Sequence, residues 1–179
     1  MFKKKAILFF GSANKNGFTF KILNKILKKL DEKYNFLLID AYEKKVHPCI
    51  GCEFCKNNFR CKFKDFEDID KNIVNAELII VASPVYNLSI PSTLKAIFDR
   101  FQPYYFLNSS DNKKKIKKKR AILVLTCGSD ETDFTIVQKQ ISASLSLINS
   151  KIDTKIFWKN TDKNSKITSE LINQISNLK

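Results

Sequence analysis

Apolar residues gather in five short runs, Ala6 to Phe10, Phe36 to Ile39, Leu78 to Ala82, Ala121 to Leu125 and Ile152 to Trp158. Runs of that length, too short for helices, predict strands buried on both faces of a sheet. Between them apolar positions recur every three or four residues. Ile22, Leu23, Ile26, Leu27 and Leu30 share one helical face, as do Leu94, Ile97, Phe98 and Phe101. Phe134, Val137, Ile141, Leu145 and Ile148 make another, and Ile167, Leu171, Ile175 and Leu178 close the chain. Five strands alternating with five helices predict an α/β protein with a parallel sheet wrapped on both faces. No linker or internal repeat breaks the rhythm, and 179 residues fill one core but are few for two, so a single domain over 1–179 is expected.

In such doubly wound sheets ligands sit beyond the C-terminal strand ends, where the strand order reverses. Three loops then share one crevice. The first, Gly11-Ser12-Ala13-Asn14-Lys15-Asn16-Gly17-Phe18-Thr19, leads from strand to helix. A helix N-terminus offers unpaired N–H groups and the positive end of the macrodipole, so it suits an anion, and Ser12, Asn14 and Thr19 add side-chain donors. Five residues separate the two glycines and Phe18 stands where a triphosphate loop carries lysine, so a monophosphate is the expected guest. The alternative is an ordinary turn with Gly11 and Gly17 at positive φ. The second loop runs from Ser83 to Pro91, with Pro84 and Pro91 stiffening it and Tyr86 offering an aromatic face to a flat heterocycle. The third is Thr126-Cys127-Gly128-Ser129.

Composition narrows the classes. No run approaches the roughly 18 apolar residues of a membrane helix, and the stretch after Met1-Phe2-Lys3-Lys4-Lys5 is too short for a signal peptide, so a cytoplasmic protein is expected. The net charge of +14 is lysine spread over every helix, with one dense run from Lys113 to Arg120 that reads as a solvated loop. That scatter argues against a nucleic-acid surface. Of five cysteines, four lie between positions 49 and 61, which suits reduced thiols or ligands rather than a secreted framework. Cys49-x2-Cys52-x2-Cys55-x5-Cys61 is close to the ferredoxin run that wraps a four-iron cluster. Bare thiols packed by Phe54, Phe59 and Phe63 are the equal alternative, with zinc or a disulfide behind both. His47, the only histidine, reads as a loop residue.

The order of these parts carries a family resemblance. The strand followed by Gly11-Ser12, Gly17 and Thr19, the cysteine segment, Ala82-Ser83-Pro84-Val85-Tyr86, and Pro91-x2-Leu94-Lys95-x2-Phe98-Asp99-Arg100 resemble the flavodoxin-like NAD(P)H-dependent FMN reductases and their iron-sulfur flavoprotein relatives. The resemblance implies a three-layer α/β/α sandwich whose five-stranded parallel sheet has order 2-1-3-4-5. It implies FMN, with Ser12, Asn14, Gly17, Phe18 and Thr19 on the phosphate, Pro84, Val85, Tyr86 and Asn87 along the isoalloxazine, and Cys127 and Gly128 closing the far side. NAD(P)H is implied as hydride donor and a quinone, flavin or nitro compound as acceptor, with no catalytic side chain required because the cofactor does the chemistry. Relatives often carry arginine at the position of Asn14 and a small residue near Leu88.

The same resemblance leaves open a one-electron carrier with a cluster on Cys49, Cys52, Cys55 and Cys61, or a flavodoxin-type carrier without enzyme activity. Tyr104, Tyr105 and Phe106 lie together in an apolar insertion from Gln102 to Asn112, hard to bury in one chain. A homodimer or homotetramer is therefore expected, with this segment near a neighbour's flavin.

Overall fold

Five parallel strands form one sheet: β1 (Lys4–Phe10), β2 (Tyr34–Asp40), β3 (Leu78–Pro84), β4 (Lys119–Thr126) and β5 (Ser150–Trp158). Their order in this computed structural model is β2-β1-β3-β4-β5, as the resemblance implied. Residues 2–110, 116–163 and 166–178 are described. Among these residues seven helices accompany the sheet: α1 (Phe18–Leu30), α2 (Phe54–Asn58), α3 (Glu67–Asn75), α4 (Ser92–Asp99), α5 (Gln102–Asn108), α6 (Thr135–Leu147) and α7 (Ser169–Ser176). The two beyond the expected five are α2, within the cysteine segment, and α5, within the aromatic insertion, and α3 is the fifth, for which no apolar face was named from sequence.

Side chains alternate across the strands and sort the core into two layers. Ala6, Leu8 and Phe10 meet Ile22, Leu23, Ile26 and Leu30 of α1 and Leu171 and Ile175 of α7. Ile7 and Phe9 meet the other face, covered by Ile69 and Ile73 of α3, Ile97 and Phe98 of α4, and Val137, Ile141 and Leu145 of α6. Each fully buried side chain of this size contributes ~1.5–3 kcal/mol, so the central strands β1, β3 and β4 are where the sheet is anchored. The edges differ. Lys151, Asp153 and Lys155 alternate outward along β5, and the β4–β5 register slips between Ala121 and Ile122, which pair with Ile152 and Thr154. Charges and a bulge at an edge discourage pairing with another sheet.

The basic run departs from expectation at its end. Lys113, Lys114 and Lys115 lie outside the described residues, but Lys119 and Arg120 open β4. Lys119 is 2% exposed, and its Nζ donates to Lys117 O at 2.8 Å and to Ile148 O, past the end of α6, at 3.1 Å. Burial, helped by the nearby Lys117 charge, pulls its pKa from 10.5 down to about 8. Between those values the unfolded chain binds the extra proton, so stability rises with pH across the window, and the penalty is fully present below about 8. It is on the order of 3 kcal/mol. Urea denaturation at pH 7.5 and pH 10 is expected to show this gain in the natural chain and not in Lys119→Met; equal slopes in both would show that Lys119 stays charged in the fold.

Candidate functional site

At the C-terminal ends of the strands, where β1 lies between β2 and β3, four loops enclose a cleft of about 460 Å³. Ser12, Asn14, Gly17, Phe18 and Thr19 form one wall. Pro84, Val85 and Tyr86 form a second, and Thr126, Cys127, Gly128 and Ser129 a third, with Thr132, Thr161 and Asp162 completing it. Its size suits a ligand of drug or mononucleotide dimensions. All the cleft residues singled out from sequence converge here except Asn87, which stands at the apex of a neighbouring turn.

The first wall is built by short-range hydrogen bonds. Asn14 N donates to Ser12 Oγ at 3.3 Å, Asn16 N to Asn14 Oδ1 at 2.9 Å and Gly17 N to Asn14 O at 3.2 Å. These bonds wind the chain into α1, and no side chain caps that helix at Gly17, leaving its first N–H groups to face the cleft. The glycines are not there for positive φ. Gly51 is the glycine in that region among the described residues, and Gly17 has φ −76°. Space is the reason at Gly11, where an added Cβ would lie 2.7 Å from Leu94 Cδ2 and 3.1 Å from Ser83 Oγ. Lys15 turns outward to Asp40, at 3.5 Å, and to Glu43. The ionisable side chains lining the cleft are Tyr86, Cys127 and Asp162, so neutral donors are what it offers an anion.

Thr19 is 3% exposed and its Oγ1 lies 2.7 Å from Thr126 Oγ1, tying α1 to the end of β4. In the second wall Val85 N donates to Thr126 O at 2.8 Å, extending the β3–β4 ladder to the cleft. Tyr86 and Ser89 then exchange two backbone hydrogen bonds of 2.9 Å around Asn87 and Leu88, whose φ values are 49° and 58°. Two left-handed residues make a type I′ turn, which holds Tyr86 over the cleft mouth at 55% exposure. Leucine in that conformation costs ~1–2 kcal/mol. Leu88→Gly is expected to raise the melting temperature by a few degrees, the unfolded-state cost of glycine offsetting part of the relief; a lower melting temperature would show that Leu88 contributes packing that outweighs its strain.

The third wall is closed from behind. Cys127 is 6% exposed, its N donates to Trp158 O at 3.1 Å, and Thr161 N and Oγ1 donate to Cys127 O at 3.1 and 3.0 Å. Cys127 thus acts as a small packed residue in this loop. The Asp162 carboxylate lies over Gly128, 2.2 Å from where a Cβ would be. Thr132, Thr161 and Asp162 escaped the sequence analysis, although the rule that places ligands beyond strand ends applies as well to the loop after β5.

A second cavity, of about 440 Å³, lies between the cysteine segment and α4–α5. Cys49, Cys52, Cys55 and Cys61 all line it, with Phe63, Arg100, Pro103 and Phe106. All five cysteines of the chain are unpaired. Burial pushes the Cys55 thiol up, and the neighbouring Cys61, Cys49 and Cys52 add to that. Among the described residues no three histidine, cysteine or carboxylate side chains converge as a ready site for a single ion. Four cysteines on one cavity wall match in number the thiolates that a four-iron cubane takes, one for each iron. His47 is exposed and stacks on Phe63 with ring centroids 4.0 Å apart, as a loop residue does.

The aromatic insertion is not a projecting segment. Its residues up to Asn108 form α5, Tyr104 turns inward to donate to Asp70 Oδ1 at 2.9 Å, Phe106 lines the cysteine cavity and Tyr105 is 53% exposed. Asn112 lies outside the described residues. Burial pushes the Asp70 carboxyl up to about 6, against the pull of the Tyr104 hydroxyl. Among the described residues no helix is long and apolar enough to cross a membrane.

Sheet order and a helix-start cradle at the strand-order switch define a flavodoxin-like α/β protein. A family model for NADPH-dependent FMN reductase matches residues 4–149, and the chain belongs to that family. Among curated relatives, an iron-sulfur flavoprotein of Archaeoglobus fulgidus is 33% identical over 102 residues, 56% of this chain and 46% of its own. An iron-sulfur flavoprotein of Methanocaldococcus jannaschii is 33% identical over 101 residues, 55% of this chain and 52% of its own. The chain thus spans about half the length of these relatives. Among solved structures, an NAD(P)H:quinone oxidoreductase from Methanothermobacter marburgensis matches with TM-score 0.73 and 16% identity over 97% of this chain and 92% of its own. An FMN-dependent NADH-azoreductase from Bacillus anthracis, in complex with FMN, matches with TM-score 0.63 and 12% identity over 97% and 94%. These likenesses establish the shared fold.

Proposed function

We propose that this chain, as one flavodoxin-like domain over 1–179, is an FMN-dependent oxidoreductase that takes hydride from NAD(P)H and reduces a small acceptor such as a quinone, a flavin or a nitro compound. The observation that carries this is the convergence of Ser12, Asn14, Gly17, Phe18, Thr19, Pro84, Val85, Tyr86, Cys127 and Gly128 on one cleft. The donors there fit FMN: uncapped N–H groups and hydroxyls for the phosphate, a stiff backbone edge and an aromatic ring for the isoalloxazine. FMN held there would supply two-electron hydride chemistry together with one- or two-electron release.

The residues supply the rest. The start of α1 binds the dianion without a lysine or arginine, so its donors and dipole must suffice. Pro84 ends β3 and Val85 follows it, pinned by its N–H to Thr126 O, so together they offer the ring a stiff edge. Tyr86, exposed at the mouth, borders the space in which a nicotinamide and then an acceptor would alternate. Binding and orientation are the protein's part in the reaction, and no side-chain acid or base is assigned.

The sharing of one cavity by Cys49, Cys52, Cys55 and Cys61 favours a second reading, in which they hold a four-iron cluster that passes single electrons onward. Unpaired cysteines suit a reducing compartment such as the cytoplasm. Exposed Tyr105 on α5 and Ile50 in the cysteine loop support a homodimer or homotetramer; light scattering is expected to show it, and a monomer at micromolar concentration would remove it.

Anaerobic purification tests both readings. A yellow protein that oxidises NADH or NADPH with a quinone is expected, with iron and sulfide if the cluster is present. Trp158, the only tryptophan, meets Phe18 of the cleft edge-on at 5.0 Å, so added FMN should quench its fluorescence. Colourless protein with unquenched emission in excess FMN would end the flavin proposal.

A further inference from the structure

The cysteine cavity contains a buried cation that the cluster reading leaves without a role. Arg100, just past α4, has a side chain 1% exposed and lines the cavity with all four cysteines. Its Nη1 donates to His47 O at 2.7 Å, and its Nη2 to Phe63 O at 3.1 Å and Asp65 Oδ1 at 2.7 Å. His47 stands just before Cys49, and Phe63 and Asp65 just after Cys61. One guanidinium therefore closes the neck of the loop that carries the four sulfurs. The rings of Phe63 and Phe66 flank it, with centroids at 5.5 and 5.4 Å.

Three of its five N–H bonds are met in this way. Nε is buried and has no hydrogen-bond partner, and Cys61 is the cavity side chain that interacts with the guanidinium. An unmet buried N–H costs ~1–3 kcal/mol. A thiolate ligand of an iron-sulfur cluster is both anionic and a hydrogen-bond acceptor, and the charge and N–H contacts around such sulfurs set the cluster's potential.

We propose that Arg100 is a positioning residue for a cluster held by Cys49, Cys52, Cys55 and Cys61: it closes the loop at both ends, and its buried charge, on the cavity wall it shares with those cysteines, raises the cluster's reduction potential. This rests on the cluster reading above. Asp65, bonded to Nη2, compensates part of the charge, so the two residues pull the potential in opposite directions.

The full chain, reconstituted anaerobically with ferrous iron and sulfide, is titrated while the EPR signal of the reduced cluster is followed. Arg100→Gln is expected to make the cluster roughly tenfold harder to reduce at a fixed potential, a shift of about 59 mV for one electron. Arg100→Lys, which keeps the charge, should recover most of that shift. Asp65→Asn should move the potential the other way. A loop that is merely loosened moves Arg100→Gln and Asp65→Asn in the same direction, and that result, or potentials equal to the natural chain's, overturns the proposal while leaving the cluster reading intact. If Arg100→Gln takes up no cluster, a positive shift in Asp65→Asn with little change in Arg100→Lys supports the proposal, and any other sign overturns it. Failure of the natural chain to take up iron and sulfide overturns the cluster reading itself.

Discussion

Thr19→Val is expected to weaken FMN binding by roughly tenfold to a hundredfold, the value of one hydrogen bond to a charged group, ~1.5–3 kcal/mol. Thr19 sits in the first turn of α1, where the phosphate is proposed to lie, and its hydroxyl is shared with Thr126. Valine keeps the shape and removes the oxygen. The substitution also strands the buried Thr126 hydroxyl, so the free protein should lose ~1–3 kcal/mol of stability. Thr19→Ser keeps the oxygen and serves as the control for affinity. Quenching of Trp158 during FMN titration measures the affinity, and urea denaturation of the flavin-free chain measures the stability. If Thr19→Val binds FMN as the natural chain does, the phosphate lies elsewhere.

Phe9→Ala is expected to cost ~3–5 kcal/mol, a large share of the 5–15 kcal/mol that holds a typical domain. Phe9 is fully buried in the central strand β1, and its ring meets Phe98 and Phe101 edge-on at centroid distances of 5.6 and 6.0 Å. Those partners flank the end of α4. The helix begins beside the Tyr86 turn and ends just before Arg100, so its seating on β1 links the cleft to the cysteine cavity. Loss of the ring should therefore lower the denaturation midpoint and also loosen both sites, read as weaker FMN quenching and faster proteolysis in the cysteine loop. A change in stability below ~1 kcal/mol would show that Phe98 and Phe101 refill the space.

The sheet was legible because β1, β3 and β4 carry short, unbroken apolar runs, a pattern that two-sided burial explains, while β5 shows the alternation of an edge. The two extra helices were not, for a physical reason in each case. Phe54–Asn58 is too short to show a period, and Gln102–Asn108 carries three aromatics in a row, whose inward and outward members are told apart only by what lies beside them. Tyr104 turns in because Asp70 of α3 accepts its hydroxyl, and Tyr105 turns out. Lys119 misled in the same way: within a run of lysines nothing marks the one whose ammonium is met by a carbonyl from a distant helix end as well as a local one.

The cleft divides along the same line. Ser12, Asn14, Gly17 and Thr19 are recognisable in order because a strand-to-helix turn is local, and so are the prolines and Tyr86 that follow β3. Sequence by itself determined the alternation of strands and helices, the family, and three of the four loops that meet at the strand ends. Tertiary structure decided that Thr19 pairs with Thr126, that Gly11 is needed for room against Leu94 rather than for its backbone angle, that Asp162 covers Gly128, and that one buried arginine gathers the cysteine loop. Those contacts join residues far apart in the chain, and their energies depend on burial and distance, which no periodicity records.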